Sequence, residues 1–169
     1  MLDQEMKEAA QALLELCERK QLTLAVAESC TGGLLAAALT EIPGSSRVLN
    51  RGYVTYSNDA KQQIGVAAAT LERYGEVSRE TAEAMAKGVL ANAPVTLSAA
   101  ITGIAGPDGA TPDKPVGLVH FAVAAARSGK LIHHEHRFGA IGRAQVRRQS
   151  VLRAIAMLRD LANAEDRPH

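Results

Sequence analysis

The order of apolar and polar positions divides the first half of the chain into alternating helices and strands. Apolar residues recur at helical spacing from Leu2 to Cys17, which predicts an amphipathic helix. The run LTLAVA at 22–27 has no polar face and is typical of a strand that is buried on both sides. TGGLLAAALTEI then predicts a helix that ends before Pro43, and GYVTYS within 47–57 predicts a second strand.

The second half of the chain continues this alternation. Asn58 is expected to cap a short helix ending near Ile64, and Ser78 a longer one ending near Leu90. The remaining segments are a strand at 95–101, a loop at 102–117, a hairpin of 117–126 with 130–138, a helix at 143–161 and a frayed tail at 162–169. Strands that alternate with helices predict a single layered α/β/α domain over residues 1–169, with a mostly parallel, mixed central sheet.

Composition and charge then exclude several functional classes. The 19 basic and 18 acidic residues give a net charge of +1, whereas a nucleic-acid-binding protein usually has a clear basic excess. No apolar run approaches the roughly 20 residues that cross a bilayer, so we expect no membrane partner. The charged, amphipathic N-terminus is unlike a signal peptide, which favours a cytoplasmic location.

Three side chains that could act as nucleophiles, Ser29, Cys30 and Thr31, stand in a row where a buried strand gives way to a helix. Ligands of open α/β sheets bind at such positions, beyond the carboxyl ends of strands. Gly32 and Gly33 each cost a helix about 1 kcal/mol relative to alanine. This cost suggests that a substrate approaches the backbone N–H groups there, and the alternative is an N-cap with close helix–strand packing.

A nucleophilic serine needs a base, and the sequence leaves two kinds of candidate. The chain has only five histidines and lacks a G-x-S-x-G motif, which argues against a standard hydrolase triad. A lysine whose pKa is lowered is the other possibility. Lys61 falls in the first turn of the short helix, where the helix dipole favours its neutral form, but the local sequence alone favours a solvated surface lysine. His120 is the next base to consider.

The sequence HHEH at 133–136 raises the question of a metal site. His134 and His136 would share one face of a strand, but a tetrahedral site needs further ligands that the sequence does not supply. An exposed hairpin strand is therefore favoured, and no metal site is predicted.

Four motifs occur in one order along the chain: AESCTGGLLAAALTEIPGSS, GYVTYSNDAKQQIGV, VSRETAEAMAKG and ITGIAGPDGATPDKPVG. In this order they resemble the C-terminal domain of the competence-damage protein CinA, a family described as nicotinamide-nucleotide amidase. The resemblance covers nearly the whole chain. Longer CinA proteins carry an additional N-terminal domain similar to molybdopterin-binding proteins, so this chain resembles the stand-alone members.

The resemblance implies that nicotinamide mononucleotide is hydrolysed to nicotinate mononucleotide and ammonia, without a metal or organic cofactor. Carried over to matching positions, Ser29 is the nucleophile and Lys61 the general base, and Tyr56 holds the lysine or relays its proton. Thr31 then becomes the helix cap, and Cys30 a packed residue rather than a nucleophile.

The resemblance also implies a set of substrate-binding residues, with Arg143 expected to bind the phosphate. The set is Thr31, Gly32, Gly33, Thr102, Gly103, Gly106 and Arg143. The expected partner is a small-molecule nucleotide, and the chain is expected to form a homo-oligomer, with a dimer favoured. Two alternatives stay open: hydrolysis of another small nucleotide or carboxamide, and a nucleotide-binding regulatory module without catalysis.

Overall fold

A computed structural model describes residues 2–167 of the protein, so His169 and Pro168 at the end of the predicted tail lie outside the described residues. Within this range the strands are β1 (Leu24–Glu28), β2 (Leu49–Val54), β3 (Leu97–Gly103), β4 (Leu118–Ala125) and β5 (Leu131–Arg137). The α-helices are α1 (Gln4–Lys20), α2 (Leu34–Thr40), α3 (Asn58–Gln63), α4 (Ala68–Tyr74), α5 (Arg79–Asn92) and α6 (Arg143–Ala164). The sequence prediction contained each of these elements except α4.

The strands form one mixed sheet in the order β2-β1-β3-β4-β5. β1 pairs in parallel with β2 and β3, whereas β4 is antiparallel to β3 and to β5. The predicted layered α/β fold with a mixed sheet is confirmed. Because β1, β2 and β3 run in the same direction, their carboxyl ends meet at one edge of the sheet, which is where ligands of such sheets collect.

Helices cover both faces of the sheet. Alternate side chains of β1 separate the two faces: Leu24 and Val26 pack in the larger core with α1, α2 and α6, and Ala25 and Ala27 pack in the smaller core with α5. The second face is lined with alanine, which lets α5 approach the sheet closely. None of the described helices is both long and apolar enough to cross a membrane.

A close backbone contact fixes the position of α3 against α5. At Gly88 of α5, an added Cβ would lie 2.0 Å from the carbonyl oxygen of Ile64, the residue that follows α3. The side-chain amide of Asn92 donates to the same oxygen at 3.2 Å. Glycine is therefore required at this helical position, since any side chain would push α3 away.

Two predicted helix boundaries are corrected by side-chain caps. The cap of α3 is Ser57 rather than Asn58, because the Ser57 hydroxyl accepts from the Ala60 N–H at 3.0 Å. α6 continues to Ala164, into the segment predicted to fray. The Lys20 ammonium donates to the carbonyl oxygens of Ala162 and Asn163 at 2.8 and 3.0 Å. Carbonyls in the last turn of a helix have no donor within the helix, and Lys20 supplies one.

Candidate active site

Ser29 follows β1 directly and lies at the sheet edge where the three parallel strands end. Its N–H donates to the carbonyl oxygen of Ile101 in β3 at 3.0 Å, so the sheet fixes its backbone. The chain then turns sharply into α2 through Gly32 and Gly33, whose φ angles are +58° and +99°. These φ angles explain why both positions are glycine, because residues with a side chain rarely adopt positive φ.

The carboxylate of Glu28 caps α2, a role that sequence analysis gave to Thr31. Glu28 is 1% exposed, and its two oxygens accept from the N–H groups of Leu35 and Ala36 at 2.8 and 3.0 Å. Thr31 does not cap the helix; its hydroxyl donates to the same carboxylate at 2.7 Å. Glu28 was not predicted as a cap, although an acidic residue at the end of an apolar strand, just before a helix, was a signal for it.

Lys61 is buried and reaches the serine from the last turn of the short helix α3, not from its first turn as predicted. The dipole at the helix start therefore does not explain a neutral lysine here. The Lys61 ammonium nitrogen Nζ lies 3.1 Å from Ser29 Oγ and donates to the carbonyl oxygen of Thr55 at 2.8 Å. The residue is 1% exposed, and burial lowers the pKa of the lysine, with Glu76 and Cys30 opposing this shift. Lys61 is therefore no solvated surface residue, and it loses its proton more readily than a free lysine does.

Burial favours the neutral form of Cys30 as well, but for a thiol the neutral form is the unreactive one. Its side chain is 6% exposed, and burial raises the pKa of the thiol to about 12. The thiol is thus protonated at neutral pH, and since the thiolate is the nucleophilic form, Cys30 is unsuited to attack.

A cavity of about 330 Å³ opens at Ser29 and Lys61. It includes most of the residues that sequence analysis assigned to the site: Ser29, Tyr56, Lys61, Thr102, Gly103, Gly106 and Arg143. Thr31, Gly32 and Gly33, which were expected to bind substrate, do not line it. Glu76 and Asp108 line the cavity and were missed, since nothing in their local sequence distinguishes them from surface carboxylates.

Tyr56 pairs with Arg143 rather than with the lysine. The Arg143 guanidinium donates to the Tyr56 hydroxyl at 3.1 Å and to the carbonyl oxygen of Gly106 at 2.8 Å. Among the described residues, the Tyr56 hydroxyl has no hydrogen bond to Lys61, so the expected contact is not formed. The Tyr56 ring is 61% exposed and lies with Arg143 on the cavity wall.

Thr102 and Gly103 have structural contacts in addition to their place on the cavity wall. The Thr102 hydroxyl donates to the backbone carbonyl of Glu76 at 2.6 Å. A Cβ at Gly103 would lie 2.8 Å from the carbonyl oxygen of Leu118, so glycine there permits close pairing with β4. Both residues thus hold neighbouring segments around the cavity.

The histidines lie apart from this cavity. His120 Nδ1 is 2.9 Å from His133 Nε2, and burial lowers the pKa of His120 to about 4. Neither residue lines the cavity. Over residues 2–167, no group of three or more histidine, cysteine, aspartate or glutamate side chains is arranged to hold a metal ion.

A family model for the CinA C-terminal domain matches residues 6–162. The chain belongs to the CinA C-terminal domain family. The CinA-like protein of Syntrophotalea carbinolica is 50% identical over 139 residues, which are 82% of this chain and 33% of that protein. The CinA-like protein of Chlorobium phaeovibrioides is 49% identical over 120 residues, which are 70% of this chain and 28% of that protein. The chain spans about a third of the length of the curated relatives it matches.

Solved structures of the family have the same fold over their full length. The competence/damage inducible protein CihA from Agrobacterium tumefaciens is 47% identical, with a TM-score of 0.93 over 96% of this chain and 98% of that one. A CinA superfamily protein from Klebsiella pneumoniae is 32% identical, with a TM-score of 0.89 over 95% of this chain and 99% of that one. These likenesses confirm the family inferred from the motifs.

Replacing Glu28 with glutamine is expected to destabilise the fold. A neutral amide cannot accept from three donors as a carboxylate does, so the free energy of unfolding should fall by about 1–3 kcal/mol. Urea denaturation measures this change. Glu41→Gln is the matched control, because the Glu41 carboxylate pairs with Lys7 on the surface and should contribute little. Equal stability of the two variants would contradict the capping role of Glu28.

Proposed function

We propose that this protein is a nicotinamide-nucleotide amidase, which hydrolyses the carboxamide of nicotinamide mononucleotide to nicotinate mononucleotide and ammonia. The observation that carries the proposal is the hydrogen bond of 3.1 Å between Lys61 Nζ and Ser29 Oγ inside a cavity. A buried amine with a lowered pKa, in contact with a hydroxyl, is the arrangement that serine–lysine acyl transfer requires.

In the first half of the proposed reaction, neutral Lys61 accepts the proton of the Ser29 hydroxyl while Oγ attacks the carboxamide carbon. The resulting tetrahedral intermediate carries a negative oxygen. It collapses when the Lys61 ammonium returns the proton to the amide nitrogen, which leaves as ammonia. An ester between Ser29 and the pyridine carboxyl group remains.

In the second half, a water molecule gives a proton to Lys61 and attacks the ester carbon. The second tetrahedral intermediate releases Ser29, which regains its proton from Lys61. The product is nicotinate mononucleotide, and both residues return to their starting states. The hydrogen bond to the Thr55 carbonyl keeps the lysine nitrogen beside Ser29 throughout.

The backbone N–H of Cys30 is the proposed donor to the negative oxygen. Cys30 follows the nucleophile and lines the cavity, and its N–H donates to no other residue within the described chain. In several hydrolases the N–H after the nucleophile has this role, because it points to where the negative charge develops.

Arg143 is the proposed ligand of the substrate phosphate. Its guanidinium is held on the cavity wall by Gly106 and Tyr56, and it lies at the first residue of α6, where the helix dipole also favours an anion. In this proposal Tyr56 orients Arg143. The homo-oligomeric state of the protein stays a prediction.

The proposal is tested by incubating the purified protein with nicotinamide mononucleotide and measuring ammonia and nicotinate mononucleotide. We expect equal amounts of the two products. Ser29→Ala should lower turnover by about a thousandfold or more, whereas Cys30→Ala should keep most of it. Absence of both products would reject the proposed function. The mechanism would be wrong if Ser29→Ala protein is active while folded Cys30→Ala protein binds substrate but is inactive. Turnover of another carboxamide alone would support the alternative substrate class.

Lys61 variants should change the pH dependence of the reaction. A base must lose its proton, so the wild-type rate should rise with pH to a midpoint below the ordinary lysine pKa of about 10.4. Lys61→Met should remove this rise together with most of the rate, and Lys61→Arg should not restore it, because guanidinium stays protonated. Lys87→Met, at an exposed position of α5, is the matched control. A wild-type profile in folded Lys61→Met protein would place the base elsewhere.

A further inference from the structure

The cavity wall carries two basic side chains, Lys61 and Arg143, and two acidic ones, Glu76 and Asp108. Glu76 works against the proposed base, because its negative charge favours the protonated form of Lys61 and so opposes the lowering of the lysine pKa by burial. A carboxylate that opposes the base is unexpected at this position unless it has another task.

The backbone that carries Glu76 is held in place from both sides. The carbonyl oxygen of Gly75 accepts from the hydroxyls of Ser78 and Thr81 at 2.9 and 2.7 Å. The carbonyl oxygen of Glu76 accepts from the hydroxyl of Thr102, on β3, at 2.6 Å. Three hydroxyl groups thus fix two successive peptide groups, and Glu76 extends from a rigid part of the cavity wall.

The carboxylate itself is free to meet a ligand. Glu76 lines the cavity and is exposed, and its carboxylate has no hydrogen bond or ion pair with any of the residues 2–167. The negative charge of Glu76 raises the pKa of Lys61, whereas Asp108 is not among the groups that act on that lysine. Of the two carboxylates on the cavity wall, Glu76 is therefore the one whose charge acts on Lys61.

The position of the substrate ring follows from the chemistry of attack. For Ser29 Oγ to attack, the carboxamide carbon must lie beside it, within reach of Lys61. That carbon is bonded directly to the pyridine ring, so the ring must also lie close to Lys61, within the cavity whose wall includes Glu76. In the nucleotide this ring is a pyridinium and carries a positive charge.

We propose that Glu76 is a specificity-determining residue that recognises the positive charge of the pyridinium ring, so that the site selects N-ribosylated pyridinium carboxamides over neutral aromatic carboxamides of the same shape. This inference rests on the proposed function. It also removes the conflict with the base. Once the cationic ring lies beside Glu76, the carboxylate is neutralised by the substrate and no longer favours protonated Lys61.

The test compares two ligands that differ in ring charge. Nicotinamide mononucleotide has a cationic ring, whereas benzamide riboside 5′-monophosphate has the same carboxamide, ribose and phosphate on a neutral ring. Calorimetry gives both dissociation constants in Ser29→Ala protein, which prevents turnover, with and without Glu76→Gln. The readout is the ratio of the two constants, because any effect on the phosphate is common to both ligands.

We expect Ser29→Ala protein to bind the cationic ligand more tightly than the neutral one. Adding Glu76→Gln should reduce this preference by about three- to fivefold, since an ion pair near solvent contributes modestly, and added salt should reduce it too. Glu72→Gln, at an exposed position outside the cavity, is the matched control and should leave the ratio unchanged. Because the Glu76 side chain has no structural contact, the variant is expected to fold, which its melting temperature checks.

An unchanged ratio in Glu76→Gln, or equal affinity for the two ligands in the parent protein, would overturn the inference. In that case, turnover of nicotinamide mononucleotide by the wild-type protein would still support the proposed amidase function. If neither ligand binds and the wild-type protein releases no ammonia, both the function and the role of Glu76 are rejected.

Discussion

The buried contact between the Lys61 amine and the Ser29 hydroxyl, at the carboxyl ends of the three parallel strands, is the interaction on which the site depends. The amine has a hydroxyl and a carbonyl as its hydrogen-bond partners, rather than a carboxylate. A buried ammonium without a paired anion is costly, and deprotonation removes that cost. The same burial therefore lowers the pKa of Lys61, as its proposed role of base requires.

The surrounding fold brings these two residues together from distant parts of the chain. Ser29 comes from the end of β1, and Lys61 from the helix that follows β2, the parallel neighbour of β1. Glu28 fixes the turn after Ser29 by capping α2, and Gly88 lets α5 pack against the end of α3. The positions of Ser29 and Lys61 thus each depend on a contact that is itself buried, which is how a fold holds a site to within fractions of an ångström.

Most of the elements could be predicted from the sequence because their signals are local. Alternation, apolar runs and caps such as Ser78 lie within a few residues of the structure they determine. The short helix α4 escaped because seven residues without a side-chain cap give little periodicity. The cap of α2 was assigned wrongly because it lies on the preceding strand, outside the usual position for a capping residue.

The candidate site could be predicted only in part from the local sequence. The Ser29–Lys61 pair came from the resemblance to a family, since the local sequence alone favoured a surface lysine. Local sequence attributed Gly32 and Gly33 to substrate binding, whereas their positive φ angles are required by the turn. The partners of Tyr56 and the place of Glu76 depend on contacts between segments far apart in the chain, which no local pattern encodes.

The proposed role of Lys61 is tested most directly by titrating its amine. NMR of protein labelled with ¹⁵N-lysine follows each side-chain nitrogen with pH, and the Lys61 signal is identified by its loss in the Lys61→Arg variant. We expect Lys61 to lose its proton at a lower pH than the other lysines. Titration of Lys61 at the ordinary value of about 10.4 would contradict the proposal, because the lysine would then be protonated at neutral pH and could not serve as the base.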